Sequence, residues 1–231
     1  MDNLWIPVLE ALEQGKKVVV RSDFDDCAAT TDARYVRSAL KALYFLPKSW
    51  RKDIVRAIAE NVEFGGHEGL PNYYARFEQL VSGTPYEFLK AGQLYELTCL
   101  QRRADTVLKP HFIEFVNEIG GQYVWVTANH RANIFAGGQS LDNPFSVSRE
   151  DMVFTRDKSQ GTGPWDLSFT RLPGVSICLE NSRKNAEASR HRYPFFLLQE
   201  GVGETFFENN IIVVSSWKVN PIELIRQAAS L

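Results

Sequence analysis

The 231-residue sequence is poor in cysteine, methionine and histidine, with three, two and four of each. Cys27, Cys99 and Cys178 are odd in number and far apart, and they form no Cys-x-x-Cys pair. That pattern suggests neither a zinc site nor a disulfide framework, so a reducing cytoplasm is the expected compartment. No apolar run approaches the roughly 20 residues of a membrane helix, and no membrane partner is expected. The opening MDNLWIPVLEALEQGKK has an early acid and an amphipathic pattern rather than the basic start and continuous apolar stretch of an export signal. Repeats, low-complexity tracts and long charge blocks are missing as well. Lys+Arg 26 against Asp+Glu 28 leaves a net charge of −2. A nucleic-acid partner is therefore not expected, because neutralising phosphates calls for a basic surface.

What the chain does have is core material. Hydrophobic residues make up 44% and aromatics 12%, including 15 Phe and 5 Trp, enough to bury a sizeable interior. Residues 4–15 predict a helix with Leu4, Val8, Leu9 and Leu12 on one face. The β-branched run Lys17–Val20 predicts a buried parallel strand that leads into the acidic stretch Ser22–Asp26. Four helical stretches follow, at about 33–46, 48–63, 71–82 and 84–104, the last opened by Thr84-Pro85-Tyr86-Glu87 in the form of a capping box. Alternation then takes over. Helices are expected at 109–118, closed by Gly120-Gly121, at 182–191 and at 221–229. Strands are expected at 122–126, 151–154, 174–179, 194–198 and 211–214. Alternating strands and helices imply an α/β fold with a mainly parallel, Rossmann-like sheet. The all-helical block reads as an insertion after the first strand, giving a core of 1–31 and 108–231 and a helical domain at 32–107.

Ligands of open parallel sheets bind outside the carboxyl ends of the strands. Here those ends carry Asp23 and Asp25, then Thr127, then Glu180 and Asn181. Lys158 lies between the last two, in Thr155-Arg156-Asp157-Lys158 ahead of a glycine-rich turn. Carboxylates, a hydroxyl, a lysine and an amide in one crevice suit a phosphoryl group beside Mg²⁺, a cation that takes hard oxygen ligands. A carboxylate there can also act as a nucleophile and form an aspartyl phosphate.

These motifs, in this order, resemble those of the haloacid dehalogenase-like hydrolase superfamily, and within it the β-phosphoglucomutase and phosphatase branch with a helical cap. Val18-Val19-Val20-Arg21-Ser22-Asp23-Phe24-Asp25 matches the strand ending in Asp-x-Asp, and Val124-Trp125-Val126-Thr127 the strand ending in a hydroxyl. Lys158 matches the lysine of the third motif, and Ile177-Cys178-Leu179-Glu180-Asn181-Ser182 the acidic fourth. The resemblance implies roles. Asp23 is the nucleophile and a metal ligand; Asp25 is the general acid and base, with its backbone carbonyl on the metal. Thr127 and the Ala128 N–H hold phosphate oxygens. Lys158 offsets charge, and Arg156 is a second candidate for that part. Asn181 falls on the metal-binding position, with Glu180 beside it as an outer or substitute metal ligand. Mg²⁺ is the implied cofactor and a small phosphorylated metabolite the implied substrate; the oligomeric state is left open.

Three positions depart from the family pattern. Asp26 stands where glycine is common, Cys27 where threonine is usual, and Asn181 where an aspartate holds the metal. Each site residue also has a plainer reading when taken alone. Thr127 and Ser182 resemble helix caps, Lys158 a solvated lysine, Cys27 a small buried hydrophobe, Arg102-Arg103 a charged helix face, and His67 and His130 loop and helix-start residues. The leading expectation is a Mg²⁺-dependent phosphatase. A phosphomutase with the same chemistry and an inactive binding relative are the alternatives, and Asp25 argues against a metal-free dehalogenase.

Overall fold

Parallel strands buried on both faces are built from unbroken apolar runs, and two of these, Phe195–Leu198 and Ile211–Val214, are buried at every position. The structure is a computed structural model that describes residues 2–24, 26–30, 107–120, 122–127, 152–154, 158 and 162–231. The helical stretches expected between 33 and 104 lie outside them. Two compact units divide the chain: Met1–Thr30, Leu108–Arg131 and Phe145–Leu231 form the first, Thr31–Val107 and Ala132–Pro144 the second. The first holds every described residue except Val107.

In chain order the elements are α1 (Trp5–Glu13), β1 (Val19–Ser22), β2 (Ala29–Thr30), β3 (Val107–Leu108), α2 (Phe112–Ile119), β4 (Gln122–Thr127) and β5 (Met152–Phe154). Then come α3 (Gly163–Arg171), β6 (Ser176–Glu180), α4 (Arg183–Ser189), β7 (Phe195–Leu198), β8 (Phe206–Glu208), β9 (Ile211–Val214) and α5 (Pro221–Ala229). The sheet has seven strands in the order β5-β4-β1-β6-β7-β9-β8. All neighbours are parallel except β8 on β9. This is the Rossmann-like α/β architecture that the alternation implies. β2 and β3 form a separate two-stranded pair.

Helical spacing explains which faces are covered. Trp5, Val8 and Ala11 of α1, Phe112, Phe115, Val116 and Ile119 of α2, and Ile225 and Ala228 of α5 are all buried. The rings of Trp5 and Phe115 both meet Phe196 of β7 edge-on, at 5.3 and 5.0 Å between centroids. The opposite face packs Val126, Cys178, Phe195, Leu197, Ile211 and Val213 against Trp165 of α3 and Ala186 of α4. Gly120 closes α2 with φ of +128°, a backbone geometry that L side chains rarely take. Asn220 caps α5 by accepting from the Glu223 N–H at 3.0 Å, with Pro221 following it.

The structure corrects several sequence boundaries. The first strand runs Val19–Ser22 rather than 17–20, because two polar residues join it fully buried. Arg21 is 0% exposed and donates to Ser176 Oγ (3.0 Å), Ser168 Oγ (2.9 Å) and the Leu172 carbonyl (2.6 Å). Its guanidinium also lies 3.9 Å from the Phe169 ring centroid. Burial lowers its pKa, opposed by Cys178 and Tyr193. The segment read as a glycine-rich turn after Lys158 leads into the helix α3, and β8 adds an edge strand that the pattern did not suggest.

Candidate active site

Strand order reverses at β1: from it the sheet extends one way through β4 and β5, the other through β6, β7 and β9. Such switch points open a crevice at the carboxyl ends of the strands. The register aligns Ser22 with Trp125 of β4 and with Leu179 of β6. The residues that follow each, Asp23, Val126-Thr127 and Glu180-Asn181, therefore stand at one level at the mouth of that crevice. Asp23 is tied there by its N–H, which donates to the Leu179 carbonyl at 2.9 Å.

Lys158 joins these strand ends. Its Nζ lies 2.8 Å from Asp23 Oδ1 and 2.7 Å from Glu180 Oε2, and donates to the Val126 carbonyl at 3.3 Å. Burial lowers its pKa, but Asp23 and Glu180 outweigh that and set it above the usual lysine value. The ammonium is fixed as a cation between two carboxylates, with the Trp165 ring of α3 at 5.6 Å. Glu180 is fully engaged. Its Oε1 accepts from the backbone N–H groups of Asn181 and Ser182, both at 3.1 Å, and its Oε2 accepts from Asn185 at 3.3 Å as well as from Lys158. Side-chain exposure separates the three charges: 12% for Asp23 against 2% for Lys158 and 0% for Glu180. Asp23 is thus the charge of this trio that opens to an incoming molecule.

Carboxylate oxygens only accept, so the half-buried Asn181 turns its amide nitrogen to them. It donates to Asp23 Oδ2 at 3.2 Å and to Glu180 Oε1 at 3.1 Å. Among the described residues no group of three His, Cys, Asp or Glu side chains forms a metal cluster. Asp23 and Asn181 are the side chains that could offer oxygen to a cation here. The pair suits Mg²⁺ in chemistry, all oxygen once the amide turns by half a rotation.

Thr127 ends β4 fully buried, two positions beyond the β4 partner of Ser22. Asp25, Ala128, His130 and Arg156 lie outside the described residues. Asp26 is described, and its φ of +56° accounts for the departure at that position. The turn calls for the left-handed backbone that glycine enters freely and that Asp is among the few other residues to tolerate. Cys27 is buried with its Sγ 3.8 Å from Ser22 Oγ. Burial first, then Asp23 and Glu180, push its thiol well above the usual range, which suits the small buried residue rather than a reactive thiol. Asn185, which braces Glu180, was not singled out from the sequence, where it is one more polar residue on a short helix.

A scan against models of protein families finds no match, and neither does a search of curated sequences. Solved structures do match. CbbY of Rhodobacter sphaeroides, in complex with phosphate, aligns with a TM-score of 0.59 at 15% identity over 87% of this chain and 95% of its own. A Thermotoga maritima protein assigned as a β-phosphoglucomutase aligns at 0.58 and 14% identity over 91% and 98%. A defluorinating L-2-haloacid dehalogenase aligns at 0.53 and 11% identity over 92% and 95%. The chain has the haloacid dehalogenase-like fold. Identities of 11–15% make this a likeness of fold alone. Within the described haloacid dehalogenase-like core, the structure brings together Asp23, Lys158, Glu180 and Asn181 from the residues the motifs picked out. No helix among the described residues is long and apolar enough to cross a membrane.

Proposed function

We propose that the protein is a phosphatase that cleaves a small phosphorylated metabolite through an aspartyl phosphate on Asp23. One observation carries this reading. A strand-end carboxylate is gripped by Lys158 Nζ at 2.8 Å, yet it keeps the largest opening to solvent of the buried charges around it. The lysine ammonium lies against the Asp23 carboxylate, and its charge offsets that of an arriving phosphate. Asp23 would attack phosphorus and displace the substrate oxygen, which takes its proton from Asp25 and leaves as the alcohol. Water, deprotonated by Asp25, would then attack phosphorus, releasing inorganic phosphate and restoring the Asp23 carboxylate. Thr127 and the Ala128 N–H are the residues assigned to the phosphate oxygens, and choice of substrate falls to residues 32–107, the expected cap.

Mg²⁺ would be held by Asp23, Asn181 and the Asp25 carbonyl, and would supply neutralisation of the phosphate charge. Glu180, with both oxygens engaged, acts through Lys158 rather than as a ligand. Asn181 brings no charge, so binding should be weak, and Asn181→Asp should tighten it; titration calorimetry of Mg²⁺ into both forms reads this directly. Activity is tested by turnover of an aryl phosphate with and without Mg²⁺, on the wild type and Asp23→Asn. Magnesium-stimulated turnover lost in Asp23→Asn is the expected result. Turnover retained by Asp23→Asn would overturn the assignment.

A further inference from the structure

The turn that follows Asp23 is short, and hydrogen bonds of its own cross it. The Phe24 carbonyl accepts from Ala28 N at 3.2 Å and Ala29 N at 3.0 Å, while Asp26 N donates to the Ala29 carbonyl at 2.7 Å. Ser22 Oγ donates to the Asp23 carbonyl at 2.7 Å at the root of the turn. The Cys27 carbonyl points to a far part of the chain. It accepts the Trp217 indole N–H at 2.8 Å, across 190 positions of sequence. A buried carbonyl and a buried indole N–H each require a partner, and each supplies the other's.

Trp217 is 2% exposed and sits on the segment between β9 and α5, three strands away from β1 in the sheet. Its ring packs on two residues of α2: Phe115 at 4.8 Å between centroids and Phe112 at 6.0 Å. Phe112 stacks on Trp125 of β4 at 6.0 Å, and Trp125 meets Phe24 edge-on at 5.2 Å. Phe24, Trp125, Phe112 and Trp217 thus make a continuous aromatic path that starts on the turn and returns to it through the bond to Cys27. The turn is clamped at its entry by ring packing and at its exit by one hydrogen bond.

We propose that Trp217 is a positioning residue: its indole N–H holds the Cys27 carbonyl, and through that part of the turn it acts on Asp25, the residue assigned to protonate the leaving oxygen. This rests on the phosphatase reading above. A misplacement of about 1 Å costs a catalytic group up to about a hundredfold. Its effect falls on the step that needs the proton, and leaving groups of low pKa depart without one.

The experiment compares single-turnover release of alcohol from an alkyl phosphate and from dinitrophenyl phosphate, in the wild type and Trp217→Phe. Benzothienylalanine at position 217, which keeps the ring shape and replaces N–H by sulfur, guards against loss of folding in the phenylalanine variant. Phe112→Leu disturbs the same aromatic packing while leaving the Cys27 bond in place. Both 217 variants should slow alkyl phosphate about tenfold or more and dinitrophenyl phosphate less than about twofold, and Phe112→Leu, which keeps the Cys27 bond, should shift the ratio of the two rates less than either 217 variant does. Equal losses on both substrates in the 217 variants, or no loss on either, would overturn the role given to Trp217 while leaving the phosphatase reading intact. A wild type that releases neither alcohol would overturn the phosphatase reading itself.

Discussion

Replacing Lys158 by methionine removes the charge while keeping most of the stem, and its cost can be worked from the geometry. In the wild type the ammonium lies 2.8 Å from Asp23 and 2.7 Å from Glu180, with the Glu180 side chain 0% exposed. Removing one partner of a buried pair costs about 3–5 kcal/mol. Glu180 would still accept from Asn181 N, Ser182 N and Asn185, so the lower end applies, about 3 kcal/mol. For a chain of this size that corresponds to a fall in Tm of about 6–12 °C. The sign with pH follows from linkage. The wild-type lysine is raised above its unfolded value by its two carboxylates, so its contribution is whole at neutral pH and lost only as pH climbs through the folded value. In the variant, burial and mutual repulsion instead raise a carboxyl, which takes up a proton in the folded state. The deficit should therefore be greatest at neutral pH and shrink below about pH 5. Glu180→Gln added to Lys158→Met should recover part of the loss, a coupling that a double-mutant cycle reads. Urea unfolding at pH 5 and pH 7.5 is the assay. A deficit under about 1 kcal/mol at pH 7.5, or one that does not shrink in acid, would refute the reasoning.

Arg21 is a buried cation whose described partners are two hydroxyls, a carbonyl and a ring; Arg21→Met should change stability by less than about 2 kcal/mol, since an apolar group of similar volume avoids the cost of burying charge, and calorimetry checks it. At Asp26, with φ of +56°, glycine should leave stability within about 1 kcal/mol, its backbone entropy offsetting the relief of a left-handed residue. Asp26→Val should cost at least about 1 kcal/mol, and equal stabilities for the two variants would contradict this geometry. Cys27 and Cys178 are 0% exposed, and burial is the first cause raising both thiols. Peptide mapping after iodoacetamide at pH 8 should find both unmodified in folded protein and modified in urea.

The parallel sheet was legible because its strands are apolar on both faces: Ile211–Val214 and Phe195–Leu198 need no context to read as buried strands. β1 was placed two residues early because polarity hides burial. The Arg21 and Ser22 side chains look solvated until Ser168, Ser176 and Leu172 are brought to the one and the Asp23 carbonyl to the other. α3 escaped because Gly163 and Pro164 read as a turn; Pro at a helix start, with Thr162 Oγ1 donating to Asp166 at 2.8 Å, was the missed signal. β8 is an edge strand with every residue half-buried, so no face of it repeats. In the candidate site, Asp23, Lys158, Glu180 and Asn181 were found from motif order. Glu180 was placed after its strand, whereas it is the last strand residue and wholly buried, which is why it binds Lys158 from below. Trp217 has no local signal at all, because its partner lies 190 positions away.

The measurement that bears most directly on Asp23 is chemical trapping. Enzyme quenched during turnover of a phosphate ester and reduced with borohydride converts a phosphorylated aspartate to homoserine, and peptide mapping then locates it. Homoserine at position 23, dependent on substrate and missing from Lys158→Met at short times, is the expected result. Hydrolysis of the ester with Asp23 recovered unchanged, or with homoserine at another position, would contradict it.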